Sequence, residues 1–292
     1  MGDQERELLK LINESGFPFQ IGVREHIKRT SDKHGWHILA EEHAWSHPRV
    51  TQSGFADLVI RHEGTTIFRV IIECKRVRED TKWIFLTPGD RTGEVGRVSA
   101  FWSSSTSNWL IHSGWTELVL DPESPEATFC TIHGQDESKR PMLERIADDL
   151  LPAAEAIGLE EQGQIHSMGN ERPWSHLYLP MIVTNASIFT ATFDGGKVVG
   201  MDTGRVAAEG CQFKSVPRVR FRKNLRTPFG MVPKTPIPKG RDDILHYQNQ
   251  FGERTILVVS STSLVETLGK LRIPPQRDRE FGIRLATLEA QK

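Results

Sequence analysis

Apolar residues recur along this chain at two distinct intervals, and the change from one to the other marks out its elements. Residues 3–15 carry Leu8, Leu11 and Ile12 on one helical face, with Asp3 placed as N-cap and Gly16 as the stop. A second helix is predicted over about 20–33, where Val23 and Ile27 repeat at helical spacing, followed by a strand over 36–41. The run GFADLVIRHEGTTIFRVIIECKR, residues 54–76, then switches to β-rich segments on either side of His62, Glu63 and Gly64, which predicts a hairpin folded about residues 63–66. Over 141–161, Leu143, Ile146, Ala147, Leu150, Ala154 and Ile157 form a helical stripe that Pro152 is expected to kink or split. PMIVTNASIFTATFD, residues 180–194, reads as one strong β run ending in the turn Asp194, Gly195, Gly196, with KVVGM returning from it. TILVVS, residues 255–260, reads as a buried strand feeding a helix that Ser263 and Glu266 open as a capping box.

Between these blocks, residues 78–135 read as an elaboration, with WIFL and TELVL as strands and GDRTGEVG and SSSTS as loops. No internal repeat and no boundary for a second folding unit is visible, so residues 1–292 are taken as one domain. Its core is formed by 17–77 together with 141–193. The succession of helix, strand, hairpin, helix and strand predicts an α/β fold with helices flanking a central sheet.

Composition narrows the setting. The 37 Lys and Arg against 38 Asp and Glu give a net charge of -1, so any nucleic-acid partner must be met by a local patch rather than a global basic field. No apolar stretch approaches the roughly 18 residues needed to span a bilayer, and the acidic, amphipathic N-terminus is unlike a signal peptide, which leads to the expectation of a cytoplasmic protein with no membrane partner. Three widely spaced cysteines suit neither a disulfide framework nor a thiolate zinc site.

The chemistry concentrates in the predicted hairpin. Asp57 lies in its first arm, and Glu73 and Lys75 lie at the end of the second, two residues apart and therefore on the same face of their strand. Folding the arms together brings Asp57 beside them. Two converging carboxylates suit a hard divalent ion, and an amine beside them suits an attacking water or a phosphate oxygen. Glu73 and Lys75 also interrupt an apolar run where a buried strand would carry Val or Ile, and charges embedded in this way need partners. A buried ion pair at a sheet edge is the alternative reading of the same residues.

The arrangement of Asp57, then Glu73, Cys74 and Lys75, resembles the PD-(D/E)XK nuclease superfamily, with Ala56 standing where the family name has proline. The resemblance covers residues 17–77, with weaker support from 141–193. It implies a restriction-endonuclease-like central mixed sheet flanked by helices, here with a long insertion and a C-terminal αβ extension. It further implies Mg²⁺ or Mn²⁺ held by Asp57, Glu73 and the backbone carbonyl of Cys74, with Lys75 positioning water or phosphate and Glu25 as an auxiliary acid on the preceding helix. The implied activity is hydrolysis of nucleic-acid phosphodiester bonds, in DNA rather than RNA, and by analogy with restriction enzymes a homodimer. A non-catalytic nucleic-acid-binding or assembly module on the same fold is the alternative, and a structural or regulatory protein without nucleic acid is a second.

One basic segment fits such a partner. KSVPRVRFRKNLR, residues 214–226, has six basic residues and no acidic one, and as a strand it would line Arg218, Arg220 and Arg222 along one face, with Lys223 following, to contact phosphates. An ordinary solvated strand is the plain alternative. The histidines at 34, 37, 43 and 47 lack metal-ligand spacing and read as surface residues, and the tryptophans at 83, 102, 109 and 115 read as core rather than as base-stacking platforms.

Overall fold

The structure is a computed structural model that describes residues 2–62, 67–88, 97–105, 111–119, 121–134, 140–167, 174–224 and 252–272. The hairpin turn at 63–66, the GDRTGEVG segment, Trp109 and the proline-rich stretch at 228–238 lie outside the described residues.

The N-terminal helices are α1 (Asp3–Glu14), α2 (Phe17–Arg29) and a single turn, α3 (Ser31–His34). Gly2, not Asp3, caps α1, its N–H donating to Glu5 Oε2 at 2.7 Å. The predicted second helix breaks at Thr30, and α3 ends on Gly35 at φ 73°. Three antiparallel strands follow: β1 (Trp36–Ser46), longer than predicted, β2 (Ser53–His62) and β3 (Ile67–Lys75). After them come β4 (Lys82–Pro88), β5 (Arg97–Ser105), β6 (Ile111–Val119), β7 (Glu126–Ala127) and β8 (Phe129–Ile132). Ser103–Ser105 thus lie in a strand and not in the expected loop, and Ser103 is fully buried against β9.

Helix α4 (Met142–Ser167) runs unbroken through Pro152, so the expected split is absent. Ten apolar or small residues buried along it supply the packing that holds one helix despite the lost hydrogen bond. Gly158 is required in it, because a Cβ there would stand 2.5 Å from the Phe101 ring. Strands β9 (Trp174–Thr184) and β10 (Ser187–Phe193) follow, then the turn α5 (Gly195–Val198), β11 (Gln212–Ser215), β12 (Arg218–Asn224), β13 (Glu253–Ser260) and α6 (Leu264–Lys270). Ser263 makes no side-chain cap at α6, and Glu266 pairs with Lys270 instead of closing a capping box.

Strand β9 is the hub. It pairs in parallel with β3 from Ile67↔His176 to Lys75↔Thr184 on one side. On its other side it pairs with β5 up to Tyr178 and with β13 from Met181. Pro180 falls at the handover, where a missing N–H disturbs the ladder least. The principal sheet runs β1-β2-β3-β9-β13-β12-β7, with β5 and β6 joined at β9. Its alternation is sharp: Val59, Ile71 and Ile182 pack with Ala147, Leu151 and Ala154 of α4, whereas Leu58, Ile72 and Met181 pack with Val23 and Ile27 of α2 and Leu264 and Leu268 of α6. The result is a mixed α/β architecture with helices on both faces of a large mixed sheet. Among the described residues, no helix is long and apolar enough to cross a membrane.

The β run predicted as one piece divides at Asn185. Its two halves enter different sheets, because β10 pairs in parallel with β4 in a second sheet, β11-β10-β4-β8. Asn185 anchors the division: Val77 N donates to its Oδ1 at 2.7 Å and its Nδ2 donates to Val77 O at 2.9 Å. The chain after β3 is thereby tied to the chain after β9 at the point where both leave the principal sheet. Asn185→Ala is expected to cost about 1–3 kcal/mol in urea unfolding, the worth of two lost hydrogen bonds in a half-buried setting. An unchanged midpoint would show that the clamp contributes nothing.

Candidate active site

The β2–β3 ladder pairs from His62↔Phe68 to Leu58↔Ile72 and then opens. At the opening the Asp57 side chain takes over from the backbone, its Oδ2 accepting the Cys74 N–H at 2.7 Å. Extending the register by one step sets Asp57 against Glu73, and Lys75 Nζ lies 3.4 Å from Glu73 Oε1. The three side chains that the hairpin pattern singled out therefore meet. They are not sealed: Glu73 retains 25% and Lys75 34% of side-chain exposure.

Around them stand two further acids. Glu42 of β1 lies between the pairs Glu41↔Leu58 and His43↔Ala56, opposite Asp57. It adopts φ 47°, a left-handed conformation that costs a non-glycine residue on the order of 1 kcal/mol or more. Gln20 of α2 holds this arrangement together, donating both to the Glu42 carboxylate and to the Asp57 carbonyl, the latter at 3.3 Å. From the other face, Asp149 of α4 adds its field to Glu73. Asp149 is fixed by Gln52 from the β1–β2 connection, whose Nε2 reaches Asp149 Oδ1 at 3.3 Å and Asp148 O at 2.8 Å.

Burial among like charges has a clear electrostatic result. Desolvation, then repulsion from Asp57, moves Glu73 from an ordinary 4.5 to about 7, against the pull of Lys75 and with a further push from Asp149. Asp57 is also raised, by burial first and by Glu42, while the Cys74 N–H and Lys75 draw it back. One ammonium thus faces several carboxylates, an excess of negative charge that a divalent cation would balance. Among the described residues no group of three His, Cys, Asp or Glu is placed to hold an ion without other donors. Mg²⁺ commonly takes only one or two carboxylates, completing its shell with water and phosphate oxygens. Burial raises the Cys74 thiol well above its usual range, so its sulfur stays protonated and unsuited to ligation.

Glu25 is placed elsewhere. It pairs with Arg24 at 2.9 Å and Lys28 at 3.9 Å, and both cations also reach Glu41. The α2 side chains that reach inward, Val23 and Ile27, pack on the sheet face opposite α4, and it is Gln20, more than a turn earlier, that contacts the site. Glu42 and Asp149 were missed by sequence reasoning. The adjacent acids Glu41 and Glu42, which break the alternation of β1, were the available sign of the first. Nothing local marks Asp149, which the α4 crossover delivers.

The basic segment is a correction. Its alternation is as expected, with Val219 and Phe221 in the core, but the opposite face is not presented to solvent because Glu123 O and Thr267 of α6 take up Arg218 while Glu126 of β7 and Glu253 of β13 take up Arg222. Arg218 and Arg220 are only 9% and 7% exposed, and burial lowers the pKa of both. Arg222 binds Glu126 at 2.7 and 3.1 Å and Glu253 at 2.9 Å, and Lys223 binds Glu144. Arg218, Arg222 and Lys223 are bound to carboxylates, a carbonyl and a hydroxyl of the chain itself, and Arg220 is buried among them, so the four do not form a phosphate ribbon. The histidines are partly a correction too, since His34 and His47 are buried, while His43 meets Glu160 at 3.3 Å.

No protein-family model matches the chain, and no curated protein or solved structure is significantly similar to it.

Two outcomes follow from this geometry. Because the Glu73 proton affinity is raised on folding, the folded state holds more protons than the unfolded state above about pH 4.5, and stability drains away as pH rises until it levels off above about 7. Glu73→Gln removes that loss and is expected to stabilise the protein at pH 8 by on the order of 2 kcal/mol, with little effect at pH 4.5. Equal effects at both pH values in thermal unfolding would contradict the assignment. Among the described residues, Arg220 Nε and Nη1 are buried without hydrogen-bond partners, so Arg220→Met is expected to be neutral or stabilising by about 1 kcal/mol. Loss of more than that in denaturant unfolding would mean the guanidinium has a stabilising role.

Proposed function

We propose that this chain is a metal-dependent phosphodiesterase of the PD-(D/E)XK kind that cleaves nucleic acid, DNA rather than RNA. The observation that carries the proposal is the meeting of Asp57, Glu73 and Lys75 where the β2–β3 ladder opens, in a partly exposed cluster with more negative charge than its own cations balance. With the turn α3 and the inserted strands β4–β8 set aside, the order α2, β1, β2, β3, α4, β9, with β3 parallel to β9, supports it as well, because a helix, three strands, a helix and a strand is the order that the resemblance implies.

Asp57 and Glu73 would hold Mg²⁺ or Mn²⁺, with the Cys74 carbonyl as a third protein donor. Such an ion supplies charge neutralisation and a bound water of lowered pKa. The chain's own residues prepare the rest. Cys74 N–H fixes the Asp57 carboxylate by a short charge-assisted bond, so that its second oxygen is directed by the first. Lys75 is one-third exposed and, among the described residues, held by the long contact to Glu73, which leaves its ammonium able to meet a non-bridging phosphate oxygen or the attacking water. Glu42, braced by Gln20, is the auxiliary acid in place of Glu25. Hydrolysis adds water across one P–O bond: the water oxygen joins phosphorus, the ester oxygen leaves, and a proton passes from the water to the leaving side.

A non-catalytic binding module is less well supported, because the basic strand that would have served it is turned inward.

With Mn²⁺ and plasmid or single-stranded DNA, the wild-type chain is expected to yield cut products. Lys75→Ala and Asp57→Asn are expected to reduce the rate at least about 100-fold, with unchanged circular dichroism and melting as the folding check. Metal affinity should fall as pH drops through 7, where Glu73 gains its proton. Retained cutting by both variants would overturn the proposal.

A further inference from the structure

Two large apolar side chains stand in the open beside this acidic centre. Phe55 is 65% exposed and lies two residues before Asp57 on β2, about 6.6 Å along the strand. Phe17 is 64% exposed and lies one helical turn before Gln20, the residue whose amide reaches the Asp57 carbonyl. Phe55 makes no contribution to the core that its exposure would allow. Its cross-strand partner is the exposed Ala44, too small to cover a ring, and its neighbour Gly54 has no side chain to do so.

A phenyl ring has no hydrogen-bonding group, so what it can offer a nucleic acid is a flat face for a base. In an intact duplex the base faces are already stacked on one another, and such a ring meets only the backbone. The balance of charge points the same way. With a net charge of -1, with Arg222 bound to its own acids and with Arg218 and Arg220 buried, β12 presents no cationic face, among the described residues, with which to hold duplex phosphates.

We propose that Phe55, with Phe17 on the neighbouring helix, stacks on an unpaired nucleobase next to the bond to be cut, and that the substrate is single-stranded or frayed nucleic acid. The inference rests on the phosphodiesterase reading of the Asp57–Glu73–Lys75 site and specifies its substrate class. Phe55 is set as the stacking surface by the strand that carries Asp57, so base and phosphate are positioned by one rigid element.

The test uses the full chain with fluorescently labelled single-stranded, duplex and frayed-end oligonucleotides in Mn²⁺, together with a single strand carrying an abasic position. Single strands should bind more tightly than duplex. Phe55→Ala should weaken single-strand binding by roughly 5- to 100-fold, Phe55→Trp should restore it, and Phe55→Leu should not. The abasic strand should bind wild type weakly and should lose little further in Phe55→Ala. Phe213→Ala, an equally exposed ring on β11 outside the site, should change nothing. The proposal is overturned if duplex is cut as well as single strands and Phe55→Ala cuts both normally, an outcome that leaves the phosphodiesterase reading standing. It is also overturned if Phe55→Leu matches wild type, or if Phe55→Ala instead turns a dimer into a monomer in sedimentation, which would make the patch a self-association surface. Wild-type protein that neither binds nor cuts any of these substrates overturns the phosphodiesterase reading itself.

Discussion

The parallel pairing of β3 with β9 is the constraint on which the rest of the molecule depends. A parallel neighbour cannot be reached by a tight turn, so the chain must cross over, and α4 makes that crossing over one face of the sheet. With α4 on that face and α2 and α6 on the other, β3 is buried on both faces up to Ile72. Past Ile72, where β2 peels away, the apolar run gives way to Glu73 and Lys75. Glu73 and Lys75 stand at that boundary because the backbone of β3 is still held by β9 while its other edge has been released to the Asp57 carboxylate.

That half-released edge explains the electrostatics. A carboxylate at the end of a hydrophobic strand is desolvated by the core behind it, and a second carboxylate from the adjacent strand faces it across the opening. Desolvation and repulsion act in the same direction, and a single lysine cannot cancel both. The fold tolerates the arrangement because the surrounding elements are tied down independently. Asn185 clamps the chain beyond β3, Gln52 pins Asp149, and Gln20 braces the strained Glu42. Local strain and unbalanced charge at a point where the scaffold is otherwise closely determined are features commonly found where a protein does chemistry.

Buried charge elsewhere is handled differently. Glu161 accepts from Arg69, from Tyr178 and from His176, and despite burial these donors hold its carboxyl far below the ordinary range. Arg222 is likewise enclosed by Glu126 and Glu253, so burial pulls against its charge but its carboxylate partners prevail. These clusters satisfy their charges internally. The cluster at Asp57 and Glu73 does not, and that unbalanced charge distinguishes it as the candidate site.

Hydrophobic periodicity by itself determined most of the elements and the site's nucleus. An alternating strand pattern dictates which side chains share a face, and a short connection dictates which arms pair, so Asp57, Glu73 and Lys75 were legible together from residues 54–76. Tertiary structure decided whatever depends on distant neighbours. An arginine-lined strand reads the same whether its polar face meets water or acids of its own chain, and only the tertiary contacts of Arg218 with Thr267 and of Arg222 with Glu126 and Glu253 closed that face. The β run at 180–194 divides between two sheets because Val77, over a hundred residues earlier, binds Asn185. Asp149 reaches the site only because α4 crosses the sheet there, and Gln20 reaches it, rather than Glu25, because α2 is held by Val23 and Ile27 on the opposite face. Periodicity encodes which residues lie on one side of an element. Which partner that side meets is settled when the whole sheet assembles.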